Sequence, residues 1–397
     1  METSRIYRLT GLPGSLERRL REAQMEAARV WTRCRDLHLY ARRNQLPWPT
    51  RDDLQRATKG EFALHSQTVQ MICHQFLTIV ENTRQARRRN PRLRYPYKDK
   101  RYHSLYWPAQ AVSVECGRVV LPMGRGRASL VLRLDLPAHA GACQLVWNDG
   151  YELHVSIPSA VERNPPGLAR AAVDLGEVHL GAITASTGAA LVVTGRGIRS
   201  AKRLRNKQHG KLARKRSACQ RGSKRWRKLQ RALRKRSARV RRQVRDLRHK
   251  ATRRVVDFCV EQGVGTIFIG NPDGVRRRRA GRHHHQRMGQ WEYGKDIEYL
   301  TYKCARRRIE SFTGSERGTS SRCPVCGWRR RPKGRVWRCG GCGFVGHRDV
   351  VGSVNMHRLA YGEQIAFPQR ITYRRPGPVR VRARNEQPRA VARAGTS

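Results

Sequence analysis

Apolar residues recur at three- and four-residue steps through Leu16, Leu20, Ala23, Ala27, Val30 and Trp31, the period of an amphipathic helix. After a Pro-containing break at Leu46-Pro47-Trp48-Pro49-Thr50, the period resumes through Val69, Ile72, Cys73, Phe76 and Ile79. Residues 14–90 therefore read as helical, and Pro91 and Pro96 end the pattern. From about 107 to 160 the period drops to two in AVSVECGRVVLPMG, SLVLRLDLP, ACQLVWND and YELHVSIP, with Asn148-Asp149-Gly150 as a turn. Short strands at this spacing suggest a small barrel or sandwich. With a strand candidate at Ser4–Leu9, the helical block reads as an insertion into a β-barrel, and Asn164-Pro165-Pro166-Gly167 as the linker out of it.

The second half opens as a strand–turn–strand–turn–strand meander, RAAVDLGEVHLGAITASTGAALVVTG. A long helix follows, with an apolar stripe through Trp226, Leu229, Leu233, Val240, Val244, Leu247, Ala251, Val255 and Phe258, and Gly263 just past its end. GTIFIG reads as a short buried strand, RRRRAGRHHHQRMG as a loop, and Trp291–Arg308 as a helix. The tail after Glu363 is basic and Pro-containing, and is expected to be disordered without a ligand.

Charge changes this picture most. The 397 residues carry 84 Lys+Arg against 29 Asp+Glu, a net charge of +55, which repels itself unless a polyanion lies along it. Residues 196–254 alone hold 27 Lys/Arg and one acid, Asp246. That excess over ordinary solvation suits phosphate tracking along RNA or an RNA–DNA duplex. No apolar run approaches the roughly 18 residues of a membrane span, and METSRIYRLTGLPG has no signal-peptide core. Seven cysteines are scattered singly (Cys34, Cys73, Cys116, Cys143, Cys219, Cys259 and Cys304), which suits a reducing cytoplasm rather than a disulfide framework.

The remaining four cysteines form Cys323-Pro-Val-Cys326 and Cys339-Gly-Gly-Cys342. Two such pairs at this spacing suit closed, structural, tetrahedral zinc better than redox chemistry. Three acids carry a different chemistry. Asp174 ends an apolar strand, where a turn-forming role is the ordinary explanation. Asp349 opens a helix, where an N-cap is ordinary. Glu316 stands seven residues before Cys323, where a plain loop carboxylate is ordinary. Gathered in space, the three would hold Mg²⁺ for phosphodiester hydrolysis. Tyr95, Tyr97, Tyr102 and Tyr106, interleaved with Lys98, Lys100 and Arg101, either stack bases or pack on the barrel. Arg203, Arg225, Lys228 and Lys235 belong to the basic set of residues 196–254, with no individual phosphate contact assigned to them. His283-His284-His285 suits a flexible nucleic-acid-contacting loop better than a metal site, since consecutive rings do not converge.

Asp on a first strand, a basic helix, IFIGNP, TSSRCPVCG, a second CxxC and an Asp-opened helix follow one another in a recognisable order. The chain resembles the RuvC-like nuclease half of TnpB proteins from insertion sequences and of the related compact type V CRISPR effectors. The resemblance covers Ala171 to Ala360 well and the N-terminal half loosely. It implies an α+β multidomain fold: an OB-like β-barrel wedge (1–13 and 91–163) with a helical recognition insertion (14–90), then an RNase H-like (RuvC) α/β domain (168–312 and 345–362). A zinc ribbon (313–344) is inserted there, and a basic tail (363–397) follows. The family's first acid falls on Asp174 of VDLG and its last on Asp349 of DVVGSVNM. In that last motif Asn355 matches, Gly352 and Ser353 replace a small pair, and Val351 departs. The family's zinc cysteines fall on Cys323, Cys326, Cys339 and Cys342.

The family's middle acid is usually a Glu on the second core strand, where this chain has Gly270. A subset carries it before the Thr-Ser that leads into the ribbon, the form of Glu316-Arg-Gly-Thr319-Ser320. Glu316 is thus the expected replacement, with Glu292 and Glu177 weaker ones. The implied function is an RNA-guided, Mg²⁺-dependent DNA endonuclease, with two ions at Asp174, Glu316 and Asp349, a guide RNA and duplex target DNA as partners, and a short flanking DNA motif. The alternatives are an RNA-guided DNA binder without cleavage, acting as a repressor or silencer, and a non-guided zinc-ribbon RNA-binding protein.

Overall fold

The computed structural model describes residues 2–376 except 116, 135, 137–139, 273–280 and 331–333. Two units divide at Ser159 and Ala160.

In the first unit, β1 (Glu2–Leu9) precedes three helices, α1 (Gly14–Arg43), α2 (Arg51–Thr58) and α3 (Ser66–Arg89). The helical period buries Leu20, Ala27, Trp31, Ile72 and Phe76 fully, with the Trp31 and Phe76 rings edge-on at 5.1 Å. Thr50 and Asp53 close a capping box at the start of α2. Short strands follow: β2 (Leu105–Trp107), β3 (Ser113–Glu115), β4 (Arg118–Leu121), β5 (Leu130–Arg133), β6 (Cys143–Trp147) and β7 (Tyr151–Pro158). They form a sheet ordered β1-β7-β6-β2 and a smaller one, β3-β4-β5. Strand β1 pairs antiparallel with β7 from Glu2↔Pro158 to Leu9↔Tyr151, so the helices leave and re-enter one sheet. The turn at Asn148–Gly150 is tight, with Asp149 and Gly150 at positive φ.

In the second unit, β8 (Ala169–Leu175), β9 (His179–Ala185) and β10 (Ala190–Thr194) form the antiparallel meander. The basic segment is a hairpin of α4 (Arg196–Ser217) and α5 (Lys224–Glu261). Gly263, at φ +61°, ends the second helix by permitting the left-handed turn. Strand β11 (Val264–Asn271) then lies parallel to β8. Helices α6 (Arg282–Gln290) and α7 (Tyr293–Arg306) precede β12 (Glu310–Ser315), which is parallel to β11. The hairpin β13 (Val336–Arg338) and β14 (Val345–His347) leads into α8 (Arg348–Tyr361), and β15 (Ile371–Arg374) closes the sheet order β12-β11-β8-β9-β10-β15.

Alternation along the strands sorts this sheet into two faces. Ala171, Val173, Leu175, Ile267 and Ile269 pack into one core with Val244, Leu247, Ala251 and Val255 of α5 and Leu300 of α7. Ala172 and Phe268 face the other way and meet Met356 of α8, while Ala182 and Val192 meet Val350 and Val354. Asp174 and Gly270, one residue beyond Val173 and Ile269, therefore point to the α8 side.

Two expectations are corrected. The segment read as a loop through RHHHQRMG is helical over Arg282–Gln290: Met288 buries itself in the core, and Gln290 and Asn206 bond side chain to side chain, anchoring a turn that the charge run obscured. The 363–397 tail begins with an ordered strand, because β15 pairs parallel with β10 from Ala190↔Ile371 to Val193↔Arg374. Residues 377–397, the RRRRA part of the loop and Cys116 lie outside the described residues.

Candidate active site

Asp174 stands at the end of β8, on the face covered by α8. Its neighbour across the sheet is the strand carrying Gly270, since Val173 pairs with Ile269. A Cβ at Gly270 would lie 2.6 Å from Glu316 Oε2 and 2.8 Å from Met356 Cε. The carboxylate of Glu316, arriving from just beyond β12, thus occupies the space that a side chain on β11 would otherwise fill. Gly352 is similarly constrained: a Cβ there would collide with Asp174 Oδ2. Asp349, on the first turn of α8, completes the group.

Helix α8 is fixed in place by the polar residues of its motif. Ser353 Oγ donates to Ala172 O at 2.8 Å and pairs with Thr184 Oγ1 at 2.7 Å. Tyr361 donates to Ala171 O at 2.8 Å, and His357 Nε2 lies 3.0 Å from Thr184 O. Asn355 Nδ2 donates to Thr319 O and Arg322 O at 2.7 and 2.8 Å, tying the helix to the segment between Glu316 and the first cysteine pair. Val351, where the resemblance departs, is buried with Cys323, Trp337 and Cys339.

The electrostatics are those of crowded carboxylates. Burial pushes the Asp174 carboxyl well above its ordinary range, and the negative charges of Glu316 and Asp349 add to it. Glu316 is pushed up to about 7, first by burial and then by Asp349, and its Oε2 is buried with no hydrogen-bond partner. A buried unsatisfied carboxylate oxygen is costly, and three acids driven together repel. Both observations fit a cation-binding site, whose oxygen donors suit Mg²⁺.

Three residues that the motifs did not single out surround Asp349. Arg335 Nη1 donates to both carboxylate oxygens at 2.8 Å. His179 and His347 each bring a ring nitrogen close to it. Both histidines lie a few residues from a motif acid, so proximity in sequence was the available signal. Glu177 and Glu292, the weaker replacement acids, pair with cations instead: Glu177 with Arg199 and Arg287, Glu292 with Lys202, Arg248 and Lys295.

The four ribbon cysteines converge. Cys323 and Cys342 sulfurs are 3.7 Å apart, and Cys326 and Cys339 sulfurs 3.4 Å. Zn–S bonds of about 2.3 Å in a tetrahedron separate sulfurs by roughly 3.8 Å, so the donors fit zinc. Gly341 and Cys342 backbone N–H groups donate to Cys339 Sγ, the usual stabilisation of thiolate charge in such a knuckle.

Among the candidate nucleic-acid residues, the tyrosines mostly pack. Tyr106 accepts hydrogen bonds from Gln75 and Gln144, Tyr97 OH lies 2.8 Å from His38 Nδ1, and Tyr95 stacks on Tyr97. Tyr102 is exposed. Lys100 is turned inward, its Nζ 3.1 Å from the Trp31 ring centroid, and burial lowers it to about 8. Lys98, Arg101, Arg203, Arg225, Lys228 and Lys235 are exposed. The three consecutive histidines sit on α6, not on a loop.

Comparison with known proteins finds two family matches along the chain. Residues 151–276 match a family model described as "Probable transposase" (OrfB_IS605), and residues 293–356 match one described as "Cas12f1-like, TNB domain". A TnpB-like protein of Methanocaldococcus jannaschii is 26% identical over 134 residues, covering 33% of this chain and 48% of that protein. The family matches lie mostly in the second half of the chain. The chain spans about half the length of that curated relative. The cryo-EM structure of a Cas12f1–sgRNA–target DNA complex shares the fold at a TM-score of 0.59 and 11% identity, covering 87% of this chain and 83% of the other.

Proposed function

We propose that the protein is an RNA-guided DNA endonuclease whose RuvC-like, RNase H-type site comprises Asp174, Glu316 and Asp349. The single observation that supports it best is Glu316 Oε2 lying where a β11 side chain would sit, over Gly270 and beside Asp174. A drifted, inactive site gives no reason for a buried acid, without a hydrogen-bond partner, to refill that space.

In this reading the strand end fixes Asp174, the turn after β12 delivers Glu316, and α8 delivers Asp349. Their oxygens would hold the Mg²⁺, which when bound supplies an activated water and neutralises charge on the scissile phosphate. Without cations Glu316 stores a proton on its carboxyl near neutrality, and losing it prepares the third oxygen donor. The exposed cations of α4 and α5 would follow the phosphates of guide RNA, and base pairing by that RNA would select the target. The OB-like wedge of the first unit, in this reading, carries guide RNA and the flanking-motif contacts, and the site of action is the cytoplasm.

The test is expression with the native flanking DNA, sequencing of the RNA that co-purifies, and plasmid cleavage by the ribonucleoprotein in Mg²⁺. Guide-dependent cleavage that Asp174→Ala lowers at least a hundredfold is expected. Guide-dependent binding with no nicking in Mg²⁺ or Mn²⁺ contradicts the reading.

A further inference from the structure

Beside the three acids, the structure gathers a second donor set of different chemistry. His179 opens β9, His347 closes β14, and Asp349 begins α8. One ring nitrogen of each histidine and one Asp349 oxygen all lie within 4.8 Å of one another. The two rings are 5.3 Å apart and near perpendicular, at 73°. His179 is only 8% exposed, and Nδ1 of both histidines is buried without a hydrogen-bond partner. Such nitrogens ordinarily find a donor, an acceptor or an ion. Two imidazoles, each bringing a ring nitrogen to one carboxylate, form a donor set that a metal ion can join.

We propose that His179, His347 and Asp349 form a binding site for a transition-metal divalent cation, next to the acid site and sharing Asp349 with it. Imidazole nitrogens select manganese, cobalt or zinc over magnesium, which prefers oxygen donors. Bonds of about 2.1 Å hold tetrahedral donors roughly 3.4 Å apart, so a modest contraction from the present spacing seats the ion. Arg335 now supplies the positive charge at Asp349. The Arg335 side chain is 43% exposed and that of Asp349 15%, so the ion would exchange one cation for another at a half-buried carboxylate. A metal at the histidine site would thus compete with the Arg335 guanidinium for Asp349.

The proposal rests on the proposed function only through the shared Asp349, and its test uses neither RNA nor DNA. The full-length protein, holding one zinc on its cysteines, is titrated with Co²⁺ and followed by visible absorption. Apart from any Co²⁺ taken up by the three acids, one saturable Co²⁺ with d–d bands and no new thiolate charge-transfer band is expected. Its affinity should fall at least tenfold in His179→Asn and in His347→Gln, and change less than threefold in Glu316→Gln. Pulsed EPR of Mn²⁺ on the unaltered protein, independent of how any variant folds, should show nitrogen modulation from imidazole. Absence of that modulation, or Co²⁺ binding that Glu316→Gln weakens and the histidine variants leave intact, would overturn the site. A chain that binds Co²⁺ this way but cuts no DNA leaves the site standing and removes the nuclease reading.

Discussion

Two glycines show how closely single residues are specified here. Gly270 leaves room for the Glu316 carboxylate, and Gly352 for that of Asp174. Gly352 lies inside α8, where alanine would ordinarily gain up to about 1 kcal/mol of helix stability. A methyl group at that position meets Asp174 Oδ2, so Gly352→Ala should instead cut cleavage at least tenfold while the melting temperature changes by only a few degrees. Plasmid cleavage and thermal melting on the same preparation check this. The small pair in the helix motif therefore has two different reasons: space for a carboxylate at Gly352, and hydrogen bonds to Ala172 and Thr184 at Ser353. In the first unit His103 is stacked on Trp31 with centroids 4.8 Å apart, and burial lowers it to about 4. Its folded value lies below its unfolded value of about 6.5. The stability it contributes is therefore present above pH 6.5 and is lost as pH falls towards 4. The loss from this group is on the order of 2–3 kcal/mol. His103→Phe should flatten that part of the acid limb in denaturant titrations at pH 6.5, 5 and 4.

At the scale of elements, the zinc knuckles and α8 form one assembly. Val351 of α8 packs on Cys323 and Cys339, and Asn355 holds the segment leading into Cys323. Metal analysis should find one tightly held zinc per chain. Cys326→Ser should loosen it and also lower cleavage, because the same segment positions Glu316. The helices, the meander and the clustering of the four cysteines were legible in the sequence, since period, turn residues and paired cysteines are local signals. The helix at Arg282–Gln290 was not: its one buried anchor, Met288, is hidden in a run of cations and histidines. Strand β15 was not legible either, because a four-residue edge strand, ITYR, has too little pattern to stand out, and its pairing with β10 is a long-range event. For the site, residue identity suggested the three acids. Only the fold reveals that Glu316 fills the space over Gly270, and that His179, His347 and Arg335 gather at Asp349.

For the whole molecule, the net charge of +55 implies that association with nucleic acid weakens steeply with salt. Charge removal at Arg225, Lys228 and Lys235 together should reduce the slope of log K against log salt by about 0.7–0.9 for each phosphate that these side chains neutralise. Filter binding of the co-purifying RNA between low and moderate salt measures it, and an unchanged slope would remove those three residues from the RNA path. The central claim, however, concerns acids rather than cations: the middle carboxylate has moved from β11 to Glu316. The most direct measurement compares Mg²⁺-dependent plasmid cleavage by ribonucleoproteins carrying the wild-type chain, Glu316→Ala, and Gly270→Glu combined with Glu316→Ala. A relocated carboxylate predicts at least a hundredfold loss in the single variant and recovery of at least tenfold in the double variant. Undiminished cleavage by Glu316→Ala would contradict it.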